Sequence, residues 1–147
     1  MDVSDTPASA TPIEELSSQA DSRNAIFIAA LLEDGLQSLL LSSMPTISDI
    51  LASRLFEEHG PLNGFAAKID MARALELIVV ETYTDLRAIQ AIRNTFAGAA
   101  GRLNFKSPEI EGRGISFRRW RSGCDLRVLF EESATRAMAA MDTKAKP

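Results

Sequence analysis

The sequence is poor in the residues that most often carry enzyme chemistry or covalent cross-links. Its 147 residues include one cysteine, one histidine, one tryptophan and one tyrosine. The single cysteine, Cys124, excludes an intrachain disulfide and is typical of a reducing compartment. The longest unbroken apolar runs, at 25–32 and 39–41, are too short to cross a bilayer. The first residues, MDVSDTPASATP, have neither the basic nor the apolar part of a secretory signal. These absences predict a cytoplasmic protein that does not contact a membrane.

What the sequence has in quantity is apolar and helix-forming side chains. Hydrophobic residues make up 46% of the chain, charged residues 24% and aromatic residues only 6%. This length and composition predict a single domain with its own core, and the many Ala and Leu residues favour helices over sheets. The net charge of −4 argues against a protein that binds nucleic acid over its whole surface, while a local basic patch is still compatible with it.

Apolar periodicity predicts an all-α, single-domain bundle of about six helices at residues 12–142, between a disordered tail at 1–11 and a frayed tail at 143–147. A first, short helix is expected to begin at Thr11-Pro12, where a cap residue precedes a proline, and to end near Ala20. Further helices are expected at 22–41, 49–58, 65–77 and 81–99, at 108–111 as a short piece, and from about 125 onward.

Some positions within these segments have a predicted role in packing. Gly35 lies inside an apolar helix, which indicates a close crossing with another helix. Residues 115–121 alternate weakly between apolar and polar, so a short strand or hairpin is an alternative to a loop there. The side chains expected to face inward are Ile50, Leu51, Leu55 and Phe56 in the segment 49–58, and Tyr83, Leu86, Ile89, Ile92 and Phe96 in the segment 81–99.

Three stretches resemble the mannitol operon repressor (MtlR) family in order and spacing. They are DSRNAIFIAALLEDGLQSLL at 21–40, LFEEHGPLNGFAAKIDMARAL at 55–75 and DLRAIQAIRNTFA at 85–97. The resemblance covers about 22–110. It implies an all-helical, non-enzymatic regulator of sugar-uptake operons without an evident DNA-reading helix pair, which acts through protein contacts and reaches DNA indirectly.

The third stretch also resembles the Arg-Asn-x-x-x-His signature of HEPN domains, which are helical bundles that often dimerise and sometimes cut RNA. In such nucleases the arginine and the histidine would act at the scissile phosphate. Arg93 and Asn94 match the signature, but Gly98 stands where the histidine is expected. Because glycine supplies neither charge nor proton transfer, RNA cleavage is not expected.

Arg93 and Asn94 have two interpretations. Glu33 and Asp34 lie in an otherwise apolar helix, so one of them is expected to face the core and to need a partner. In the first interpretation, Arg93 is that partner, and Glu33, Asp34 and Arg93 form a buried polar network that fixes helix register. In the second, Arg93 and Asn94 form a site for a phosphate or a protein partner.

Residues 102–127, hereafter the arginine-rich segment, carry seven basic and three acidic side chains, a net charge of +4. Phe117 and Trp120 are interleaved with the arginines, a pattern found on surfaces that bind nucleic acid or protein. The alternative is a solvated loop whose arginines pair with the acidic remainder of the chain. The candidate binding residues are Arg113, Arg118, Arg119, Trp120 and Arg121.

No motif predicts catalysis, a cofactor or a metal. His59 has no accompanying nucleophile motif and is expected to interact with the C-terminal end of a helix dipole. Cys124 is expected to be a packing residue. The candidate metal ligands do not converge at ligand spacings. We therefore predict a protein that is not an enzyme.

Three functions are compatible with these patterns. The first is a regulator that controls transcription through a protein partner. The second is a repressor that binds DNA directly with the arginines at 113–127, and the third is a HEPN-like bundle that binds or cleaves RNA. A homodimer is expected in each case, because the predicted helices carry more apolar surface than a monomer of this length hides.

Overall fold

The computed structural model of the chain describes residues 11–145. These residues form an all-α bundle, as predicted, and contain no strand. The helices in chain order are α1 (Pro12–Ser42), α2 (Asp49–Phe56), α3 (Phe65–Ala74), α4 (Val80–Gly98), α5 (Pro108–Gly114) and α6 (Leu126–Ala145). The predicted tail at 1–11 lies outside the described residues except for Thr11. Helix α6 extends three residues beyond the predicted boundary at 142, and residues 146–147 lie outside the described part.

Helix α1 is one continuous helix of 31 residues, so the predicted break near Ala20 is wrong. Its start is as expected: Thr11 and Glu14 form a reciprocal capping box, and Pro12 occupies the first turn. Asp21 and Ser22 favour helix ends in a sequence reading, but here both are buried within the helix. The helix continues through Asp21 because the carboxylate of this residue has partners from outside the helix, described below.

The core lies where α1 packs against α3, α4 and α6. At Gly35 an added Cβ would lie 3.1 Å from Cε of Met141, so the predicted close crossing is confirmed and involves α6. The predicted inward line of α4 is confirmed at Leu86, Ile89, Ile92 and Phe96, which are fully buried, while Tyr83 is half-buried at its edge.

Helix α2 lies at the surface. Ser48 caps it, because its hydroxyl accepts the N–H of Leu51. Ile50 and Leu51 are 69% and 47% exposed, so the prediction that they face the core is wrong. The helix has only eight residues and only Phe56, at its C-terminal end, is buried. An α-helix of two turns that packs through one end leaves the apolar side chains of its first turn in solvent.

The Gly-Pro-Leu turn after α2 has a steric reason for its glycine. An added Cβ at Gly60 would lie 2.6 Å from the carbonyl oxygen of Arg54, which is too close for any side chain. Beyond the turn, the N–H of Leu62 donates to the carbonyl of Leu55 at 2.8 Å. The turn therefore folds the chain directly back onto the end of α2.

Helix α3 ends three residues earlier than predicted. Glu76 has a φ of 58°, in the left-handed region that helices do not use, so the chain turns there and leaves Leu75 46% exposed. Residues 75–79 link α3 to α4. The guanidinium of Arg73 donates to the carbonyl of Ile78 at 3.1 Å and holds this link against α3.

Within residues 11–145, α1 is the helix long and apolar enough to cross a membrane by length and composition, with a mean hydropathy of 1.5 over its most apolar window. The unbroken apolar runs in the sequence are shorter than this window, because charged residues interrupt it. One third of the window is buried inside the bundle, where α1 packs against three other helices.

Candidate binding surface

The arginine-rich segment forms a loop, helix α5 and a series of turns. Of the two alternatives for 115–121, the described residues have the irregular one: turns are present there and the strand or hairpin is not. The N–H of Phe117 donates to the carbonyl of Gly114, and the N–H of Trp120 donates to that of Phe117, both at 3.1 Å. These bonds between residues three apart are typical of β-turns and satisfy the backbone without a partner strand.

Phenylalanine rings attach this segment to the core. Phe105 contacts Phe96 of α4 and Phe130 of α6, with ring centroids 5.1 and 5.4 Å apart. Phe117 meets Phe130 edge-on at 6.4 Å. All four rings are buried. Such pairs add about 0.5–1.5 kcal/mol each to the burial of their apolar area.

Asp21 is the first of two buried carboxylates that bind the segment from the core helices. Its side chain is 4% exposed. One oxygen accepts the backbone N–H of Phe105 at 3.0 Å, and the other contacts Nη2 of Arg127 at 2.7 Å. Asp21 of α1 therefore holds both ends of the arginine-rich segment, at the loop before α5 and at the start of α6.

Asp85 of α4 is the second buried carboxylate. It accepts the backbone N–H of Arg118 at 3.1 Å and lies 3.5 Å from Nε of the same residue. Its side chain is also 4% exposed. Hydrogen bonds to a charged acceptor are stronger than neutral ones, so the turn around Arg118 is fixed to α4 at one point.

A groove of about 1250 Å³ lies between the N-terminal turns of α1 and the arginine-rich segment. Exposed apolar side chains line part of it: Ile13 is 79% exposed, Ile115 58% and Trp120 39%. The charged lining is mixed. It consists of Lys106, Arg121 and Arg127 on the basic side and of Glu14, Asp21, Glu111 and Asp125 on the acidic side.

The structure divides the predicted binding residues of the segment into three sets. Trp120 and Arg121 line the groove. Arg113 and Arg119 are exposed and form no ion pair within residues 11–145. Arg118 is the exception, because its contacts with Asp85 make it a structural residue. The interpretation in which arginines pair with the acidic remainder of the chain holds for Arg118 and Arg127. The interpretation as a binding surface stays a prediction.

The polar network predicted for Glu33, Asp34 and Arg93 does not form. Glu33 does turn inward, but its partner is Lys68 of α3, whose Nζ lies 2.7 Å from the Glu33 carboxylate. Asp34, the next residue along α1, is exposed. The prediction was wrong about the partner because lysine is usually at the surface. Lys68 is 2% exposed, and its place between Phe65, Ile69 and Ala72 at helical spacing is the signal that would have identified it.

Arg93 and Asn94 lie near the end of α4. Nη1 of Arg93 donates to Oδ1 of Asn94 at 2.9 Å, and Asn94 is exposed. Gly98, at the histidine position of the HEPN signature, is exposed as the last residue of the same helix. The two polar side chains of the signature therefore satisfy one another at the surface.

The remaining candidates do not form a reaction centre. His59 is exposed with a φ of 66°, and its nearest charged partner is the carboxylate of Glu58 at 3.7 Å. Cys124 is exposed at the edge of the groove, so the prediction of a half-buried packing residue is wrong. Among residues 11–145, no three His, Cys, Asp or Glu side chains converge as metal ligands.

No family model, curated protein or solved structure matches this chain. The class that the structure defines is a single-domain, all-α helical bundle. The resemblance to the mannitol operon repressor family stays a prediction from the sequence.

Proposed function

We propose that this protein is a non-enzymatic, cytoplasmic regulator that binds a protein partner at the groove between α1 and the arginine-rich segment. The observation that carries the proposal is the composition of this groove. It combines exposed Trp120 and Ile115 with basic and acidic side chains on one concave surface. Trp and Arg are the residue types that most often dominate protein–protein binding energy.

The mixed charge of the groove favours a protein over a nucleic acid. Glu14, Glu111 and Asp125 face the same space as Arg121 and would repel a phosphate backbone. Binding of nucleic acid depends mainly on neutralised phosphates, which requires an excess of basic side chains at the contact. A protein partner with charges of both signs is the better complement.

The role in transcription rests on the resemblance to the mannitol operon repressor family. The resemblance implies a family without an evident DNA-reading helix pair. The protein would therefore reach an operator through its partner.

The test is a quantitative capture experiment with three baits in extracts from the native host. The first bait is the wild type, the second is Trp120→Ala combined with Arg121→Glu, and the third is Arg54→Glu at an exposed site on α2. We expect one partner to be retained by the wild type and by Arg54→Glu and to be lost with the groove variant. That partner, purified, should shift DNA from upstream of the protein's own gene, and adding this protein should change the shift.

Two results would contradict the proposal. If the purified protein alone shifts that DNA, with an affinity that falls steeply as salt rises, the arginines bind phosphates directly. Arg113 and Arg119 are the residues to replace in that case, because they are exposed and unpaired within the described residues. If the purified protein cleaves structured RNA and Arg93→Ala abolishes the cleavage, the protein is an enzyme.

A further inference from the structure

The face of α1 that points away from the core carries several large apolar side chains among polar ones. Ile13 is 79% exposed, Leu16 68%, Phe27 63% and Leu31 43%, and Ala20 is exposed among them. The buried residues of α1, such as Ala25, Leu32 and Leu36, lie on the opposite side of the same helix. The core therefore does not account for this second apolar face.

The outward residues follow a seven-residue repeat. Ile13, Ala20 and Phe27 are seven apart, and Leu16 and Ala30 occupy the position three residues after Ile13 and Phe27. This is the a and d spacing of a coiled coil, in which the a and d side chains of one helix pack against those of another. Helices α3, α4 and α6 cover the inner face of α1, and within residues 11–145 no helix covers the outer seam.

Two charged residues interrupt the seam. Arg23 is at a d position and Asp34 at an a position, and both are exposed. Neither forms an ion pair within residues 11–145. In a coiled coil, polar residues at such positions fix which helices pair, in which direction and in which register.

We propose that the seam binds α1 of a second copy of this chain in an antiparallel arrangement, with the two-fold axis between Ile28 and Ala29. In an antiparallel pair each a position faces a d position of the partner copy. Centring the pair between residues 28 and 29 places Arg23 opposite Asp34 twice, once on each side of the axis. The remaining layers are Phe27 with Ala30, Ala20 with the half-buried Gln37, and Leu16 with Leu41, which also packs against the core of its own chain.

The charges select this register against its neighbours. Sliding one helix by seven residues in one direction places Arg23 opposite Phe27, and sliding it in the other direction places Asp34 opposite Ala30. A parallel pair would place each Arg23 against its own counterpart. Only the register centred between residues 28 and 29 gives each charge an opposite charge, so the helix is complementary to itself.

The dimensions of the seam suit a stable dimer. A helix of 31 residues is about 46 Å long. A standard interface buries about 800 Å² on each partner, which a contact of this length reaches with a width of about 17 Å. That is about one and a half times the diameter of one helix with its side chains, so residues that flank the seam must also contribute to the contact. A lipid surface is the competing occupant, but a bilayer would leave Arg23 and Asp34 without partners.

The experiment is independent of the groove function: Ile13 belongs to both surfaces, but the residues to be replaced, Arg23, Phe27 and Asp34, do not line the groove. The experiment is sedimentation equilibrium of the full chain at several concentrations, with far-UV circular dichroism as the check on folding. The wild type is expected at twice the chain mass of 16.0 kDa. Phe27→Glu is expected to weaken association by about 100-fold or more. The matched control is Ile50→Glu, which places the same charge at an equally exposed apolar site on α2 and should leave the dimer intact.

The register has its own test. Arg23→Glu or Asp34→Lys alone creates two like-charge contacts and should weaken association about tenfold or more. The double variant with both changes should return to within about threefold of the wild type, because the opposite charges again face each other. A wild type that is monomeric at tens of micromolar overturns the proposal, as does dimerisation that survives Phe27→Glu. Absence of rescue in the double variant overturns the antiparallel register. A monomer that cosediments with phospholipid vesicles shows that the face binds lipid instead.

Discussion

The helical core and the arginine-rich segment are held together by different forces. In the core, α1, α4 and α6 bury apolar faces that repeat every three or four residues. The segment has little such periodicity, and its position depends on two buried carboxylates, Asp21 and Asp85, and on the stacked phenylalanine rings. The core contains the long helices, whereas the only complete helix of the segment is the seven-residue α5. A surface segment can thus be positioned by a few hydrogen-bond acceptors placed on a rigid support.

Two optical signals separate these regions experimentally. Trp120 is the only tryptophan of the chain and lies in the segment, so its fluorescence reports the segment alone. Circular dichroism reports the helices, most of which belong to the core. Coincident urea transitions indicate loss of both regions together, and a fluorescence transition at lower urea indicates release of the segment.

The largest effect is expected from Phe130→Ala. This ring is fully buried and joins the two regions, because it contacts both Phe105 and Phe117. We expect the free energy of unfolding to fall by about 3–5 kcal/mol, with both optical transitions moving together. Val128→Ala, at a half-exposed site on the same helix, should change it by less than about 0.5 kcal/mol. A shift of the fluorescence transition alone would show that Phe130 serves the segment only.

Lys68→Met should destabilise the core next most strongly. Lys68 is buried, and its Nζ contacts the carboxylate of Glu33 and the carbonyl of Asn63, at 2.7 and 3.0 Å. Its removal leaves a partly buried carboxylate without a partner, which we expect to cost about 2–3 kcal/mol in urea unfolding. Lys68→Met with Glu33→Met should recover most of the loss. A double variant as unstable as the sum of the single variants would show that the two side chains are not coupled.

Asp21→Ala should make the arginine-rich segment unfold before the helical core. It removes the acceptor of the Phe105 N–H and the partner of Arg127, with an expected loss of about 2 kcal/mol. We expect the fluorescence transition to move to lower urea than the dichroism transition. Asp21→Asn keeps an acceptor oxygen and should have a smaller effect, and Glu58→Ala, at an exposed carboxylate, should have almost none. Coincident transitions in Asp21→Ala would show that the segment is not held by this carboxylate.

Asp85→Ala should destabilise a shorter part of the arginine-rich segment than Asp21→Ala does. Its hydrogen bond reaches only the N–H of Arg118, so we expect a loss of about 1–2 kcal/mol. Amide hydrogen exchange should increase at 117–121 and stay unchanged at 104–106. Asp21→Ala should instead increase the exchange at 104–106, in the loop before α5. Equal acceleration at both places would show that the segment is released as one unit.

Tyr83→Phe, at the edge of the core, should lower the free energy of unfolding by the smallest amount. The Tyr83 hydroxyl donates to Asp70 at 3.0 Å, and this hydrogen bond raises the pKa of Tyr83, with burial and the nearby charge adding to it. Both groups are near solvent, so the loss at neutral pH should be about 0.5 kcal/mol or less. Because the pKa is higher in the folded state, the contribution is present below the unfolded pKa of about 10 and disappears as pH rises through the folded pKa. The difference between wild type and Tyr83→Phe in urea unfolding should therefore shrink at strongly alkaline pH. A difference that grows there would contradict the direction of the shift.

The predictable parts of this molecule are those set by neighbours along the chain. The inward line from Leu86 to Phe96 and the caps at Thr11 and Ser48 follow from local spacing and side-chain chemistry. The break expected near Ala20 was wrong because the partner of Asp21 is 84 residues away.

The site was less predictable than the fold for the same reason. Trp120 and Arg121 were identified by residue type, but the groove beside them depends on where α1 passes. Lys68 was overlooked because a lysine is read as a surface residue unless its apolar neighbours are counted. Arg118 was grouped with the free arginines because nothing near it in sequence indicates that Asp85 accepts its backbone N–H.

The uninterrupted course of α1 through Asp21 and Ser22 has a consequence for the order of folding. The residues that satisfy Asp21 arrive from the loop before α5 and from α6, so closing this contact requires most of the chain to be in place. Until then, local preferences at Asp21 and Ser22 favour a helix that ends there. We expect the N-terminal turns of α1, and with them one wall of the groove, to form in the last step of folding, after the rest of the helix has joined the core.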